Sequence, residues 1–407
     1  MKKIYKSFIV LFSALFILYG CQSEDTGSKH KELDFAVKQT QLLLDVSYKA
    51  NKIPRTIDAS GHLHWTRDGF DWTEGFFPGT CWYLYEYTKD EKWQQGAQFF
   101  QKKYEDHRFL PFYHDLGFVF NCSYGNGYRL TGDEHYKQVL IDAGNTLIGR
   151  FNPQVGCIKS WDVDKGWQSK RGWEYPVIID NMMNLEMLFE LSEITGDSKY
   201  KEVAIAHANT TMKNHFRDDM SSYHVIDYDS ISGEVRNKHT AQGYAHESEW
   251  ARGQAWGIYG YTICYRYTKD PSYLKQAEKI ADYIINHPVL PEDKVPYWDY
   301  DAAKIPNEPR DASAAAITAS ALIELDAYSD NNYLDEAKLI INNLSSKEYL
   351  AEIGTNHHFI LKHSVGSIPH NNEIDVPLNY ADYYYIEALL RLKALNNEEA
   401  GQLAQSK

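Results

Sequence analysis

The turn Asp90-Glu91-Lys92-Trp93 belongs to a pattern that occurs five times along the chain and decides the fold. In each copy an apolar, tyrosine-rich segment ends in a short polar turn, an Asp follows, and an aromatic residue comes three positions later. Asp is a favourable helix N-cap because its carboxylate accepts hydrogen bonds from the free amides of the first turn. Each copy therefore predicts the tight link of a helical hairpin. The other copies are Asp133-Glu134-His135-Tyr136, Asp197-Ser198-Lys199-Tyr200, Asp270-Pro271-Ser272-Tyr273 and Asp330-Asn331-Asn332-Tyr333.

The five turns predict five hairpins. One further helix at each end of the set can pair with the other, which gives a sixth hairpin. Apolar residues recur at helical spacing, as in Ile280, Ile284 and Ile285. Twelve helices in consecutive hairpins predict an all-α fold, an (α/α)6 toroid whose inner helices line an axis. An open solenoid is the alternative, but closure removes both exposed ends. The predicted helices are 34–50, 73–88, 91–105, 115–131, 134–150, 180–195, 198–215, 252–268, 271–286, 311–328, 331–345 and 379–395.

The N-terminal 21 residues have the pattern of a lipoprotein signal. Three lysines in the first six residues precede an apolar stretch that is shorter than the about 20 residues a spanning helix needs. Leu18-Tyr19-Gly20-Cys21 resembles a bacterial lipoprotein box, so Cys21 is the expected lipidation site and only membrane contact. An ordinary cleaved signal is disfavoured because cleavage sites normally carry small residues. Residues 22–33 are predicted as a flexible tether and 34–398 as one toroid domain, located at the cell envelope.

Composition narrows the possible partners. The net charge of −14, without a basic cluster, disfavours nucleic acid. The spacing of the cysteines after Cys21 matches no metal motif and no compact disulfide framework. Cys81, Cys122 and Cys264 fall in apolar helices and are predicted as buried free thiols. Neither a metal nor another cofactor is expected.

Two carboxylates open neighbouring inner helices and are the first candidates for chemistry. Asp115 lies in His114-Asp115-Leu116-Gly117-Phe118, and Asp180 lies in Ile178-Ile179-Asp180-Asn181. Either Asp alone is most simply an N-cap. Together, at the same end of a barrel, they can face each other across its mouth, and two such acids are the usual equipment of glycosidic chemistry.

Aromatic and cationic residues accompany these acids. Arg252, in Trp250-Ala251-Arg252-Gly253-Gln254-Ala255-Trp256, can bind a carboxylate through two parallel hydrogen bonds or can pair with a structural acid. Trp250 and Trp256 offer sugar-stacking faces, although Trp256 fits a core position equally well. Trp72 precedes the second helix, where the wall of a substrate site is expected.

The combination of these motifs resembles the unsaturated glucuronyl hydrolases of glycoside hydrolase family 88. The resemblance covers residues 65 to 393 and implies the six-hairpin toroid. It also implies removal of a 4,5-unsaturated uronic acid from the non-reducing end of oligosaccharides that lyases produce, with glycosaminoglycans as the expected source. The motifs are DWTEGFFPG at 71, HDLGF at 114, IIDNMMN at 178, HTAQG at 239, WARGQAWGIYG at 250, PRDASAAAI at 309 and DVPLNYADYYYIEALLR at 375.

Carried over by motif, the resemblance makes Asp180 the general acid/base and Asp115 the second catalytic carboxylate. The loop 362–367 corresponds to a region that adjusts sulfate recognition. The residues implied to bind the unsaturated sugar are Trp72, His224, Thr240, Gln242, Trp250, Arg252 and Trp256.

Three other functions fit parts of the pattern. A hydrolase of unsaturated rhamnogalacturonyl or ulvan fragments would use the same core and different subsites. A non-catalytic glycan-binding lipoprotein would use the tether and the aromatic residues, but it would not need both Asp115 and Asp180. A sugar epimerase on the same barrel would favour histidine acid/base pairs over two aspartates.

Overall fold

Four of the five predicted hairpin turns have the expected capping geometry. In the computed structural model, which describes residues 30–405 and their side chains up to residue 396, the first helix of each pair ends in a left-handed residue. The Asp that follows then accepts a hydrogen bond from the amide two residues later, as Asp270 does from Ser272 at 2.8 Å. Local cap chemistry therefore builds these links. The same bond is made by Asp90, Asp133 and Asp197.

The fifth turn is different, and the prediction that Asp330 caps a helix is wrong. The helix begins at Leu334 instead of residue 331, and Tyr333 occupies the cap position. The carboxylate of Asp326, from the preceding helix, accepts hydrogen bonds from the amides of Tyr333 and Leu334, both at 2.9 Å. A longer link thus replaces the tight turn.

Six inner helical segments form a closed ring, so the predicted toroid is confirmed and the open solenoid is wrong. Each inner segment packs on the next, and α13 packs on both α11 and α2, which closes the ring. The helices are α1 Lys31–Ala50, α2 Phe76–Thr88, α3 Glu91–Gln101, α4 Leu116–Phe120, α5 Asn126–Thr131, α6 Glu134–Ile148, α7 Leu185–Thr195, α8 Ser198–Asn214, α9 Ala251–Thr268, α10 Pro271–Ile285, α11 Ala312–Asp326, α12 Leu334–Leu344 and α13 Asn379–Gln405.

The two terminal helices pair as predicted, because α1 packs on α13. Gln39 of α1 fixes this end by donating to the carbonyls of Thr355 and Phe359, both at 3.0 Å. Helix α1 begins at Lys31, so the last residues assigned to the flexible tether are helical. Cys21, the signal and most of the tether lie outside the described residues.

Two inner helices are irregular where they approach each other. A π-helical turn over Asn121–Gly125 joins α4 to α5, and a 3-10 turn over Ile179–Asn184 precedes α7. Gly117 of α4 lies so close to Asn184 that an added Cβ would be 2.4 Å from the Asn184 Cα. This close approach places the starts of the two segments, and therefore Asp115 and Asp180, side by side.

The long loops carry short antiparallel sheets on an otherwise helical scaffold. Three strands, β5, β6 and β7, form the largest sheet, and the other strands pair as hairpins. The strands are β1 Pro54–Ile57, β2 Leu63–Trp65, β3 Phe151–Asn152, β4 Cys157–Ile158, β5 Tyr175–Ile178, β6 Val225–Tyr228, β7 Val235–His239, β8 Ser364–Ser367 and β9 Asn372–Val376.

The core extends around the ring and along its axis. Phe76, Phe118, Trp256 and Tyr384 from different inner segments pack against one another near the axis, edge to face in all cited pairs except the tilted pair Phe76–Tyr384. The predicted buried thiols are confirmed, and Cys157 is also buried and free. Among the helices described, none has the length and apolar character needed to cross a membrane.

Candidate active site

The starts of the inner helical segments meet at one end of the toroid. The Gly117 amide donates to the Asn184 side chain at 2.8 Å, which joins the α4 and α7 segments. The Asn379 side chain donates to the carbonyl of Thr73 at 3.0 Å, which joins the α13 and α2 segments. Long loops precede these starts, so the end where they meet can carry a site.

Asp115 and Asp180 lie at this end, and neither carboxylate acts as a helix cap. Asp115 occupies the N-cap position of α4, but its side chain makes no capping hydrogen bond within the described chain. Asp180 lies inside the 3-10 turn, and its Oδ2 finds no hydrogen-bond partner among residues 30–405. Asp311, by contrast, caps α11 through the Ser313 amide at 3.0 Å. The N-cap interpretation is therefore wrong for the two acids that open neighbouring inner segments.

Burial makes both carboxyls unusually weak acids. The side chains of Asp115 and Asp180 keep 16% and 11% of their exposure, so they remain reachable from the mouth. Desolvation raises the pKa of Asp180 to about 7, against the opposing charge of Arg252. Desolvation and then the nearby charge of Asp180 raise the pKa of Asp115 to about 8. The pair can therefore hold and exchange a proton near neutral pH.

His224 is held next to Asp180 by the β5–β6–β7 sheet. Its Nδ1 accepts hydrogen bonds from the amides of Ala241 and Gln242 at 3.1 and 3.2 Å. Because β6 and β7 are paired, the turn after β7 lies against the residue that precedes β6. The Nε2 atom of His224 is 3.6 Å from Asp180 Oδ2, and burial holds the pKa of this imidazole well below its usual value. His224 is thus a neutral ring whose Nε2–H faces Asp180.

Both terminal nitrogens of the Arg252 guanidinium are hydrogen-bonded to other groups of the protein. It lies buried, with Nη1 2.8 Å from Asp311 Oδ2 and also bonded to the Val365 carbonyl, while Nη2 donates to the Gly366 carbonyl at 2.6 Å. Its Cζ stacks 4.4 Å from the centroid of the Trp250 ring. Of the two predicted roles, pairing with an internal acid is thus the one the structure contains. The charge of Arg252 still acts on Asp180.

The other predicted binding residues surround this centre in different ways. Trp256 is packed among core aromatics, whereas Trp250 lies 4.7 Å from the His224 ring. The indole N–H of Trp250 finds no acceptor in the described part of the chain, whereas the indole N–H of Trp256 is directed at the Asp180 carboxyl and lowers its pKa. Half-buried Trp72 contacts the ring of Tyr380 at 4.9 Å. Gln242 donates to the Gly366 carbonyl at 3.3 Å, and Thr240 Oγ1 accepts from the Gly243 amide at 2.8 Å.

Two residues that the sequence analysis did not assign also belong to the site. His114 Nε2 lies 3.3 Å from Asp115 Oδ1. Trp161 stands edge-on to the rings of both His114 and His224, at 6.2 and 6.0 Å, and is partly exposed. His114 could have been found as the neighbour of Asp115 in the HDLGF motif. Trp161 gave no signal, since the loop that carries it has no regular periodicity.

The hairpin of β8 and β9 forms another side of the mouth. The Gly366 carbonyl accepts from both Arg252 and Gln242, and Ser367 Oγ is 2.7 Å from His370 Nδ1. The ring of His370 lies 5.0 Å from that of Trp167. Loop 362–367 therefore borders the site. In the portion of the chain that is described, no group of three or more His, Cys, Asp or Glu residues is arranged to hold a metal ion.

Comparison with known proteins identifies the family. Residues 47–388 match the model of Glycosyl Hydrolase Family 88. The chain is 44% identical over 395 residues to an unsaturated glucuronyl hydrolase of Formosa agariphila, covering 95% of this chain and 98% of that protein. It is 33% identical to an unsaturated chondroitin disaccharide hydrolase of Streptococcus agalactiae, covering 88% and 91%.

A solved structure agrees with these matches. The crystal structure of an unsaturated glucuronyl hydrolase specific for heparin superposes with a TM-score of 0.85 at 47% identity, covering 90% of this chain and 97% of that one. Sequence and fold thus agree over nearly the whole described region, and the chain is an enzyme that belongs to glycosyl hydrolase family 88.

Proposed function

We propose that this enzyme releases a 4,5-unsaturated uronic acid from the non-reducing end of short oligosaccharides. The observation that carries the proposal is the pair Asp115 and Asp180, two mostly buried carboxyls with raised pKa values at the mouth of the toroid. The relatives named for unsaturated glucuronyl and chondroitin disaccharide hydrolysis support it. A heparin-specific structural relative and a chondroitin relative together favour glycosaminoglycan fragments as the substrate class.

The reaction begins at the double bond of the substrate. The C4–C5 double bond and the ring oxygen form a vinyl ether that is conjugated to the uronate carboxylate. A proton added to C4 leaves an oxocarbenium ion at C5, and water attacks C5 and loses a proton. The resulting hemiketal opens and expels the neighbouring sugar. One acid that gives a proton and then takes one is sufficient for this sequence.

Asp180 is the proposed acid/base and Asp115 its partner. A pKa of about 7 allows Asp180 both to protonate C4 and to accept the proton of the attacking water. The Nε2–H of His224 faces the same carboxyl and can donate a hydrogen bond when Asp180 is ionised. Asp115 shares the mouth and orients the sugar or the water.

The other groups are proposed to bind the sugar around this centre. Arg252 supplies positive charge to the uronate carboxylate, although two of its nitrogens already bond Asp311 and loop carbonyls. The free indole N–H group of Trp250 is a donor for sugar oxygens. Trp256 is proposed to contact the sugar next to the Asp180 carboxyl, towards which its N–H is directed. The remaining proposed contacts are Trp72, Thr240 and Gln242.

The test is loss of ultraviolet absorbance of the double bond on a panel of unsaturated disaccharides. Glycosaminoglycan disaccharides should lose absorbance, and rhamnogalacturonyl or ulvan fragments should react slowly or not at all. Asp180→Asn should reduce turnover by at least about 100-fold, because it removes the acid and keeps the shape. A folded variant with near-normal turnover would assign the proton to another group.

A matched saturated disaccharide separates this chemistry from ordinary glycoside hydrolysis. The saturated sugar lacks the double bond that accepts the proton, so it should not be cleaved even where it binds. Equal hydrolysis of both sugars would contradict the proposed route.

The proposed location is the cell envelope, through a lipid on Cys21. The support is the signal pattern in the sequence. Cys21→Ala in the full-length chain should abolish incorporation of a labelled fatty acid and move the protein from the membrane fraction to the soluble fraction. Unchanged labelling would place the lipid elsewhere.

A further inference from the structure

A chain of hydrogen bonds with fixed donors and acceptors runs from Asn184 through Asn181 to His114, the neighbour of Asp115. Its first member, the side chain of Asn184, has a fixed orientation. The backbone amide of Gly117 donates to Asn184 Oδ1 at 2.8 Å. Because a backbone amide can only donate, this atom is the carbonyl oxygen of Asn184 and the other is its NH2 group. That NH2 group donates to Asn181 Oδ1 at 2.8 Å.

The orientation of the Asn181 side-chain amide is fixed in the same way, and it determines which nitrogen of His114 is protonated. Its Nδ2 donates to the Ile158 carbonyl at 2.8 Å and to Ser160 Oγ at 2.9 Å. A carbonyl can only accept, so Asn181 Oδ1 is the acceptor that faces His114 Nδ1 at 3.0 Å. His114 Nδ1 therefore carries a proton.

The remaining ring nitrogen of His114 then presents a lone pair to Asp115. Burial, with a smaller effect from Arg150, lowers the pKa of this imidazole to about 3, so the ring is neutral at working pH. A neutral ring protonated at Nδ1 is unprotonated at Nε2, which lies 3.3 Å from Asp115 Oδ1. A hydrogen bond between these two atoms requires the proton to be on Asp115.

The histidine nitrogen that faces Asp180 is a hydrogen-bond donor, in contrast to the one that faces Asp115. The Nδ1 of His224 accepts two backbone hydrogen bonds, so its Nε2 carries the proton and faces Asp180 Oδ2 at 3.6 Å. One carboxyl of the pair thus faces an acceptor and the other faces a donor. The charged and titratable groups around Asp115 are His114, Asp180, Arg150 and Asp71, and those around Asp180 are Asp115, His224 and Arg252.

We propose that His114 is a positioning residue that holds the proton of the carboxyl pair on Asp115, with its tautomer set by Asn181 and Asn184. A neutral Asp115 does not repel Asp180 or an anionic substrate. Asp180 is then free to titrate alone and to serve as both acid and base, a consequence that rests on the proposed reaction. In this arrangement Asp115 donates from Oδ1 to His114 Nε2, which orients the Asp115 side chain and leaves its Oδ2 available.

The tautomer can be measured in the unmodified protein. In protein labelled with 15N-histidine, the chemical shifts of His114 should show a protonated Nδ1 and an unprotonated Nε2 throughout the working pH range, with assignment by loss of the signals in His114→Gln. An imidazolium, or a proton on Nε2, would overturn the proposal. This measurement does not depend on activity, so it separates failure of the proposal from failure of the proposed function.

Two substitutions test the effect on Asp115. His114→Asn keeps a donor towards Asn181 and removes the acceptor for Asp115, whereas His114→Gln keeps an amide oxygen near the Nε2 position. In protein labelled with 13C-aspartate, the Asp115 carboxyl should titrate about one pH unit lower in His114→Asn and close to the parent in His114→Gln. The pKa that limits kcat/KM on the alkaline side should likewise be lower in His114→Asn and close to that of the parent in His114→Gln.

A second histidine–carboxyl pair provides the matched control. His107 Nδ1 lies 2.7 Å from buried Glu74, outside the pair. His107→Asn should leave the Asp115 resonance where it is. The proposal is overturned if the Asp115 carboxyl titrates alike in the parent and His114→Asn, or if His107→Asn moves it as far as His114→Asn does.

Discussion

At the scale of single residues, desolvation and not a neighbouring acid raises the pKa of Asp180. Burial is the largest cause of its raised pKa, and the guanidinium of Arg252 opposes it. The helix start, which favours an anion, does not use the carboxylate as a cap. A buried acid held this way depends on the fold around it, and its protonation also feeds back on the stability of the fold.

The free energy of unfolding should therefore fall as Asp180 ionises. Its pKa is raised from 3.8 to about 7 in the folded state, so folding favours the protonated form. This contribution is fully present below about pH 4 and is lost as pH rises through about 7. Asp180→Asn should gain at least about 1 kcal/mol relative to the parent between pH 5 and pH 8. Urea unfolding at both pH values measures it.

An exposed acid serves as the control for this measurement. Asp106 keeps 95% of its side-chain exposure, so Asp106→Asn should leave the pH dependence as it is in the parent. Parallel stability profiles for the parent and Asp180→Asn would show that burial does not hold the proton on Asp180.

Arg252 is the residue where the internal contacts change the expected effect of substitution. Arg252→Lys keeps the charge but cannot satisfy Asp311 and the Gly366 carbonyl together. Thermal unfolding should show a loss of about 1–3 kcal/mol, because buried polar groups lose partners. We also expect kcat/KM to fall about tenfold. If Arg252→Lys has the kinetics and the stability of the parent, the two-nitrogen geometry of the guanidinium is not needed.

At the scale of elements, the hairpin turns show where a local pattern is sufficient. Asp270 caps α10 through a residue two positions away, so no distant partner is needed. The same pattern at Asp330 fails because Asp326, at the end of α11, takes the amides at the start of α12. The competing acceptor is only a few residues away, yet it moves the helix start to Leu334.

The two turns therefore predict different responses to the same change. Asp270→Ala should destabilise the protein by about 1 kcal/mol, because the amides at the start of α10 lose their cap. Asp330→Ala should be close to neutral, since Asp330 is exposed and caps no helix in the described structure. Chemical denaturation of the two variants tests the difference. Equal losses would show that Asp330 stabilises the turn by another route.

At the scale of the whole molecule, the ring is closed at a seam between its first and last inner helices. Buried Asn379, at the start of α13, donates to the carbonyls of Pro54 and Thr73, both at 3.0 Å. The opposite end of the axis holds a cavity of about 390 Å³ lined by charged residues that include Glu186, Arg266 and Arg391. In the described part of the chain, the long loops lie at the end of the axis where the inner helices begin and the two acids meet.

Asn379→Ala should weaken this seam. Two buried carbonyls lose their donor, which costs about 1–3 kcal/mol. Thermal unfolding of the variant measures the loss, and exposed Asn372→Ala on the neighbouring hairpin is the control. A melting temperature equal to that of the parent would show that packing alone closes the ring.

The sequence by itself determined the helical hairpins, the six-hairpin ring and the neighbouring positions of Asp115 and Asp180. These depend on helix caps and apolar spacing, which act over a few residues. Only the tertiary structure decided what those acids and Arg252 contact. Arg252 bonds Asp311, 59 positions away, and a loop carbonyl 114 positions away. His114 obtains its tautomer from Asn181, 67 positions away. Buried polar groups must be satisfied by whatever the fold brings near them, so their partners, protonation and chemistry are set by packing across the ring.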